Sequence, residues 1–247
     1  MKLIDNFYAY LWPGVTMAEM QKYGNNCNSY LFAGVLPKNR HVLIDPGAIV
    51  NEVRQNCLNR LISQMQNDGL KIEDVGLILN THLHPDHYGA SEELRKLSGA
   101  QVAIGKGEDE FIKLMGGEMS QVLKQIGIDM PEIHPDFYLE EGGLRLSQDL
   151  IVEIIHTPGH SQGHIAIFWP ETRVLMGGDL IFSGSTGRVD IPGGNAQQLK
   201  ESIEKVAKFE IEYLLTGHQY GSPGIIEGAK TIRQNYDVIR RYIFPHL

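Results

Sequence analysis

The chain has 247 residues, of which 42% are hydrophobic and 21% charged, and its net charge is −8. That is ordinary globular composition and excludes a disordered chain, while the acidic balance without any Lys/Arg-rich run argues against a nucleic-acid partner. No stretch approaches the roughly 18 apolar residues of a membrane span, two cysteines make no disulfide framework, and Met1–Gly14 lacks the basic start and apolar core of a secretory leader.

A cytoplasmic enzyme is therefore expected, with no membrane partner, as one domain over residues 1–247. Apolar, β-branched runs that end in turn signals predict strands at Tyr30–Val35, His41–Ile44, Val75–Asn80 and Gln101–Ile104, then at Ile151–Ile155, Ile165–Trp169, Arg173–Met176 and Ile211–Leu215. Helical spacing of apolar residues predicts helices over Val50–Met65, Ala90–Leu97, Asn195–Phe209 and Ile225–Ile243. The order, strands then helix, occurs twice. Gly105–Pro135, rich in glycine and methionine, reads as a helical insertion, with Met115 and Met119 offered to a substrate pocket.

The densest chemistry lies in Thr81-His82-Leu83-His84-Pro85-Asp86-His87, immediately after a predicted strand. In extended backbone, residues two apart share a face, so His82 and His84 aim at one point. Asp86 and His87 fall at the turn that follows and can address a second point. Imidazole and carboxylate are the usual ligands of zinc and also suit iron and manganese. Three further runs each deliver such a residue at the end of a strand: His160 after Ile151–Ile155, Asp179 after Arg173–Met176, and His218 after Ile211–Leu215. Five of the ten histidines fall into this pattern, which points to a metal site built from loops on a rigid scaffold.

H-x-H-x-D-H at His82–His87, T-P-G-H-S-x-G-H at Thr157–His164, G-D at Gly178–Asp179 and G-H at Gly217–His218 resemble, in order and spacing, the metallo-β-lactamase superfamily. The resemblance implies an α/β fold, a four-layer αββα sandwich in which two mixed sheets are flanked by helices. It also implies two divalent metal ions, zinc first and iron or manganese as alternatives. His82, His84 and His160 would hold one ion, Asp86, His87 and His218 the other, and Asp179 would bridge them. Asp45 resembles the aspartate that ends a strand beside the family's site, although a plain turn residue reads equally well. His156 and His164 are assigned to outer contacts or packing, Arg188 and Asp190 to an ion pair that fixes a loop, and Cys27 and Cys57 to the core.

A bridging aspartate is similar to the glyoxalase II, lactonase and persulfide dioxygenase side of the superfamily, and the text Gly178–Gly194 to the glyoxalase II-like hydrolases. The expected reaction is hydrolysis of a small-molecule thioester or ester by a hydroxide held between the ions, with Asp86 and Asp179 as catalytic residues and Asp86 or a bound water handling the leaving group's proton. After His218 a single helix is read, where full-length glyoxalase II carries a glutathione-gripping domain, so the thiol stays open, as does assembly into a homo-oligomer. Two alternatives remain: a mononuclear iron persulfide dioxygenase, whose family has Cys where this chain has His164, and a dinuclear lactonase or phosphodiesterase.

Overall fold

Two β-sheets face each other across the centre of the protein, in a computed structural model that describes residues 1–115 and 131–247. The first has seven strands in chain order: β1 (Lys2–Ile4), β2 (Phe7–Tyr10), β3 (Ser29–Leu36), β4 (Arg40–Ile44), β5 (Val75–Asn80), β6 (Gln101–Gly105) and β7 (Phe137–Leu139). Pairing is antiparallel from β1 to β4 and parallel from β4 to β7. The second sheet contains β8 (Gly142–Arg145), β9 (Ile151–His156), β10 (Ile165–Trp169), β11 (Val174–Met176), β14 (Tyr213–Leu215) and β15 (Ile225–Glu227), with a small ribbon of β12 (Ile181–Phe182) and β13 (Ser185–Thr186) set apart from it.

Side chains alternate across each strand, so each sheet buries two faces. Val42, Ile44, Leu77 and Leu79 of the first sheet pack against Ile154, Ile165, Ile167 and Met176 of the second. Their neighbours point outward, Leu43 and Ile78 towards α2 (Cys57–Asn67) and α4 (Ser91–Ser98). On the other side, Ala166, Phe168 and Leu175 meet α6 (Ala196–Val206) and α7 (Ala229–Tyr242). The result is the expected αββα sandwich. In α2, Leu58, Leu61 and Met65 are at most 5% exposed, each burial contributing roughly 1.5–3 kcal/mol.

The eight expected strands all form, two of them starting later than expected. Two helix predictions start too early. Val50 pairs in a β-bridge with Asn56, whose side chain then caps the helix by accepting from Asn59 N–H, so α2 begins at Cys57 rather than Val50. Ile225–Glu227 is an edge strand, and the last helix begins only after Gly228. The hairpin β1–β2 and the helix α1 (Met17–Tyr23), which carries a Thr16/Glu19 capping box, were not predicted. Of the expected insertion, Glu108–Met115 forms helix α5. Residues 116–130, with Met119, and the Met115 side chain lie outside the described residues.

Among the described residues, no helix is long and apolar enough to cross a membrane. What positions the site is the direction of the strands. β4 runs parallel to β5 and β11 parallel to β14, and β9, antiparallel to β10, which is antiparallel to β11, runs the same way as β11. Asp45, His82, His160, Asp179 and His218 therefore leave C-terminal strand ends at one edge of the sandwich. There Ile165 N–H donates to Thr81 O across the sheets at 2.9 Å, and Gly217 N–H to Gly178 O at 2.7 Å.

Candidate metal centre

All seven residues singled out as ligands converge at this edge. The donor atoms of His82, His84 and His160 lie within 4.8 Å of one another, as do those of Asp86, His87 and His218. Asp179 stands between the two triads: Oδ1 is 3.2 Å from His87 Nε2, and Oδ2 is 3.5 Å from His160 Nε2 and 3.4 Å from His218 Nε2. Asp86 Oδ2 is 3.3 Å from His218 Nε2. The turn that separates the triads is a single helical turn, α3 (Pro85–Tyr88), in which Pro85 at the first position needs no hydrogen bond of its own. It swings Asp86 and His87 away from the extended His82–His84 pair.

The residues form groups that could hold a metal ion. Among the described residues, His82 Nε2 and His160 Nε2 are buried with no hydrogen-bond partner, an arrangement that is costly unless something binds the lone pairs. Their opposite ring nitrogens are fixed. His82 Nδ1 donates to Thr81 Oγ1 (3.0 Å), His160 Nδ1 to Arg188 O (2.8 Å), His218 Nδ1 to Asn26 O (3.0 Å) and His87 Nδ1 to Asp45 Oδ2 (2.9 Å). Such partners hold each imidazole in one tautomer with Nε2 facing inward. Space is reserved as well, since a Cβ at Gly217 would lie 2.1 Å from Asp179 Oδ1 and 2.9 Å from His87 Cε1.

The electrostatics divide the site. Burial lowers His84 to about 3 and holds His82 and His160 below the usual imidazole range, so this triad offers neutral lone pairs. At the other end burial also opposes charge, but Asp179 and Asp45 hold His87 well above its usual range. Asp179 and Asp86 push His218 up to about 9. The two imidazoles in turn hold Asp179 and Asp86 below the usual carboxylate range against burial. A cation entering here displaces protons.

Asp45 is no plain turn residue. It is 2% exposed and accepts from Thr81 N–H and Thr81 Oγ1–H at 2.7 Å each, as well as from His87. His164 is buried among these groups: its Nε2 accepts from Asp179 N–H at 3.2 Å, and its Nδ1 donates to Thr157 Oγ1 at 2.8 Å, so it orients Asp179. His156 is exposed and bonded to Gln162 O. Arg188 and Asp190 form the expected ion pair, at 2.8 and 2.9 Å, and both are exposed. Cys27 and Cys57 are buried thiols.

Sequence reading missed the segment Asn25–Asn28, which lies against the triad of Asp86, His87 and His218. Asn25 Nδ2 donates to Asp86 Oδ2 at 2.6 Å, Asn26 supplies the carbonyl for His218, Cys27 N–H donates to Asp86 O at 3.2 Å, and Asn28 N–H to Gly217 O at 2.6 Å. Tyr220 was missed too. Its ring stacks on His218 at 4.7 Å, and its hydroxyl donates to Asn25 Oδ1 at 3.3 Å.

The model of the metallo-beta-lactamase superfamily matches residues 23–218, and the chain belongs to that superfamily. A probable metallo-hydrolase of Methanocaldococcus jannaschii is 33% identical over 208 residues, 81% of this chain and 91% of the relative. The hydroxyacylglutathione hydrolase GloC of Haemophilus influenzae is 32% identical over 162 residues, 65% of this chain and 70% of its own. Among solved structures, TTHA1623 in a di-iron-bound form superposes with a TM-score of 0.64 at 29% identity, covering 85% of this chain and 93% of that one.

Proposed function

We propose that the protein is a metallo-hydrolase that cleaves a small-molecule thioester at a centre of two metal ions, zinc or else iron or manganese. The observation that carries this reading is the placement of Asp179 within 3.2–3.5 Å of imidazoles from both triads. Its support from relatives is the similarity to hydroxyacylglutathione hydrolases and to a protein that holds two irons.

His82, His84 and His160 would hold one ion, Asp86, His87 and His218 the other, with Asp179 shared. When bound, the ions supply an activated water and a Lewis acid for the substrate carbonyl, the two needs of acyl transfer. The chain's own residues do the rest. Asp45, Thr81, Arg188 and Asn26 fix the imidazoles by their outer nitrogens. Asp86, an ionised carboxylate oriented by Asn25, would take the proton given up by the attacking water and pass it to the leaving thiolate. His164 keeps the Asp179 backbone in register, so the carboxylate stays between the triads.

A substrate panel tests the reaction class. The metal-loaded protein should turn over an acyl-thioester at least about tenfold faster, in kcat/KM, than a lactone or a phosphodiester, a gap of about 1.4 kcal/mol in transition-state stabilisation. Preference for the lactone or the phosphodiester would reassign the substrate within the superfamily.

A further inference from the structure

Glu108, the first residue of α5, is fully buried. Glutamate is almost never buried so completely unless paired, yet among the described residues the groups around this carboxyl are neutral. Ser161 Oγ donates to Oε1, Oε2 has no hydrogen-bond partner among the described residues, and the backbone N–H groups of Gly163 and Leu83 lie close enough to favour the ionised form. Burial nonetheless pushes the acid up to about 7, which marks the cost of keeping a carboxyl there.

The position of those neighbours gives the carboxyl a task. Leu83 stands between His82 and His84, and Ser161 follows His160. One side chain therefore holds the loop that carries His160 and lies near the loop that carries His82 and His84, the three imidazoles whose donor atoms lie within 4.8 Å of one another. The approach is close enough to exclude any side chain at Gly163, where a Cβ would lie 2.1 Å from Glu108 N and 2.7 Å from its Cγ. A group needed only to start α5 would gain nothing from bonding the residue after His160.

We propose that Glu108 is a positioning residue of the metal centre, which holds the Ser161 hydroxyl and packs against Gly163 and so fixes His160 against His82 and His84. The proposal rests on the reading of these three imidazoles as ligands of one ion.

The test removes metal from the zinc-loaded full chain with a competing chelator, comparing wild type with Glu108→Ala, Glu108→Gln and Ser161→Ala, and records thermal unfolding of each. Loss of an outer contact of a metal site weakens binding by about 10- to 100-fold, and that is expected for one ion of Glu108→Ala, with the other held within about threefold. Glu108→Gln, which keeps an oxygen for Ser161, should recover most of the affinity, and Ser161→Ala should reproduce the selective loss. Release of both ions at wild-type affinity would overturn the proposal. So would equal weakening of both in step with lost thermal stability and without rescue by Gln. If Glu108→Ala does not fold, Ser161→Ala decides by the same criteria. If wild type releases only one ion, the two-ion reading fails, while the positioning role stands if Glu108→Ala weakens that ion and falls if it does not.

Discussion

Asp45→Ala is the perturbation whose size follows most directly from the geometry. Asp45 accepts three hydrogen bonds in a buried site, from Thr81 N–H (2.7 Å), Thr81 Oγ1–H (2.7 Å) and His87 Nδ1–H (2.9 Å). Alanine leaves all three donors buried, at about 1–3 kcal/mol each. Because they share one acceptor, the costs couple, and a net loss of about 3–5 kcal/mol is expected rather than the full sum. For a chain of this length that lowers Tm by roughly 10 °C. His87 also loses the partner that turns its Nε2 inward, so the ion expected at Asp86, His87 and His218 should bind about 10- to 100-fold more weakly. Asp45→Asn should fall between, since its oxygen can serve one donor while its amide N–H₂ faces another. Thermal unfolding and zinc competition on the same preparations give both numbers. Asp45→Ala with wild-type Tm and wild-type affinity for both ions would refute the role drawn for this carboxylate.

His84→Ala and Asp179→Ala should each remove at least one equivalent of metal and abolish hydrolysis, and full occupancy in Asp179→Ala, by elemental analysis, would exclude the shared carboxylate. A pH dependence follows from His87 and His218, both raised above the usual imidazole value by Asp179 and its neighbours. In metal-stripped protein their stabilising contribution is complete below about pH 6.5, and for His218 it is lost as pH rises through about 9. Because metal must displace those protons, apparent zinc affinity should rise across the same window. Unfolding and chelator competition between pH 6 and 9 measure both, and affinity flat with pH would contradict the protonated pair.

The residues that were legible in the sequence are those whose side chains carry chemistry. His82, His84, Asp86 and His87 announce themselves by spacing, and His160, Asp179 and His218 by their place after strand-like runs. The buried strands were legible because both faces of β5 and β10 are apolar, which leaves continuous hydrophobic runs. What escaped has no such mark. Asn26 and Arg188 serve the site through backbone carbonyls, for which any residue would do. Glu108 looks like an ordinary acidic start to a helix, since sequence does not show burial. The helix expected at Val50–Met65 was started too early because Val50 and Val53 sit at helical spacing yet are 51% and 40% exposed in the loop before α2; the Asn56 cap was the better signal. Ile225 and Ile226 likewise extend an apolar periodicity that Gly228 interrupts.

The ratio of metal to protein, measured by elemental analysis on chain purified without added metal, tests the central claim most directly. Close to two ions of zinc, iron or manganese per chain is the predicted result, in protein that hydrolyses an acyl-thioester without oxygen. A single iron per chain, with oxygen uptake from a persulfide and no thioester cleavage, would contradict it and make the protein a dioxygenase.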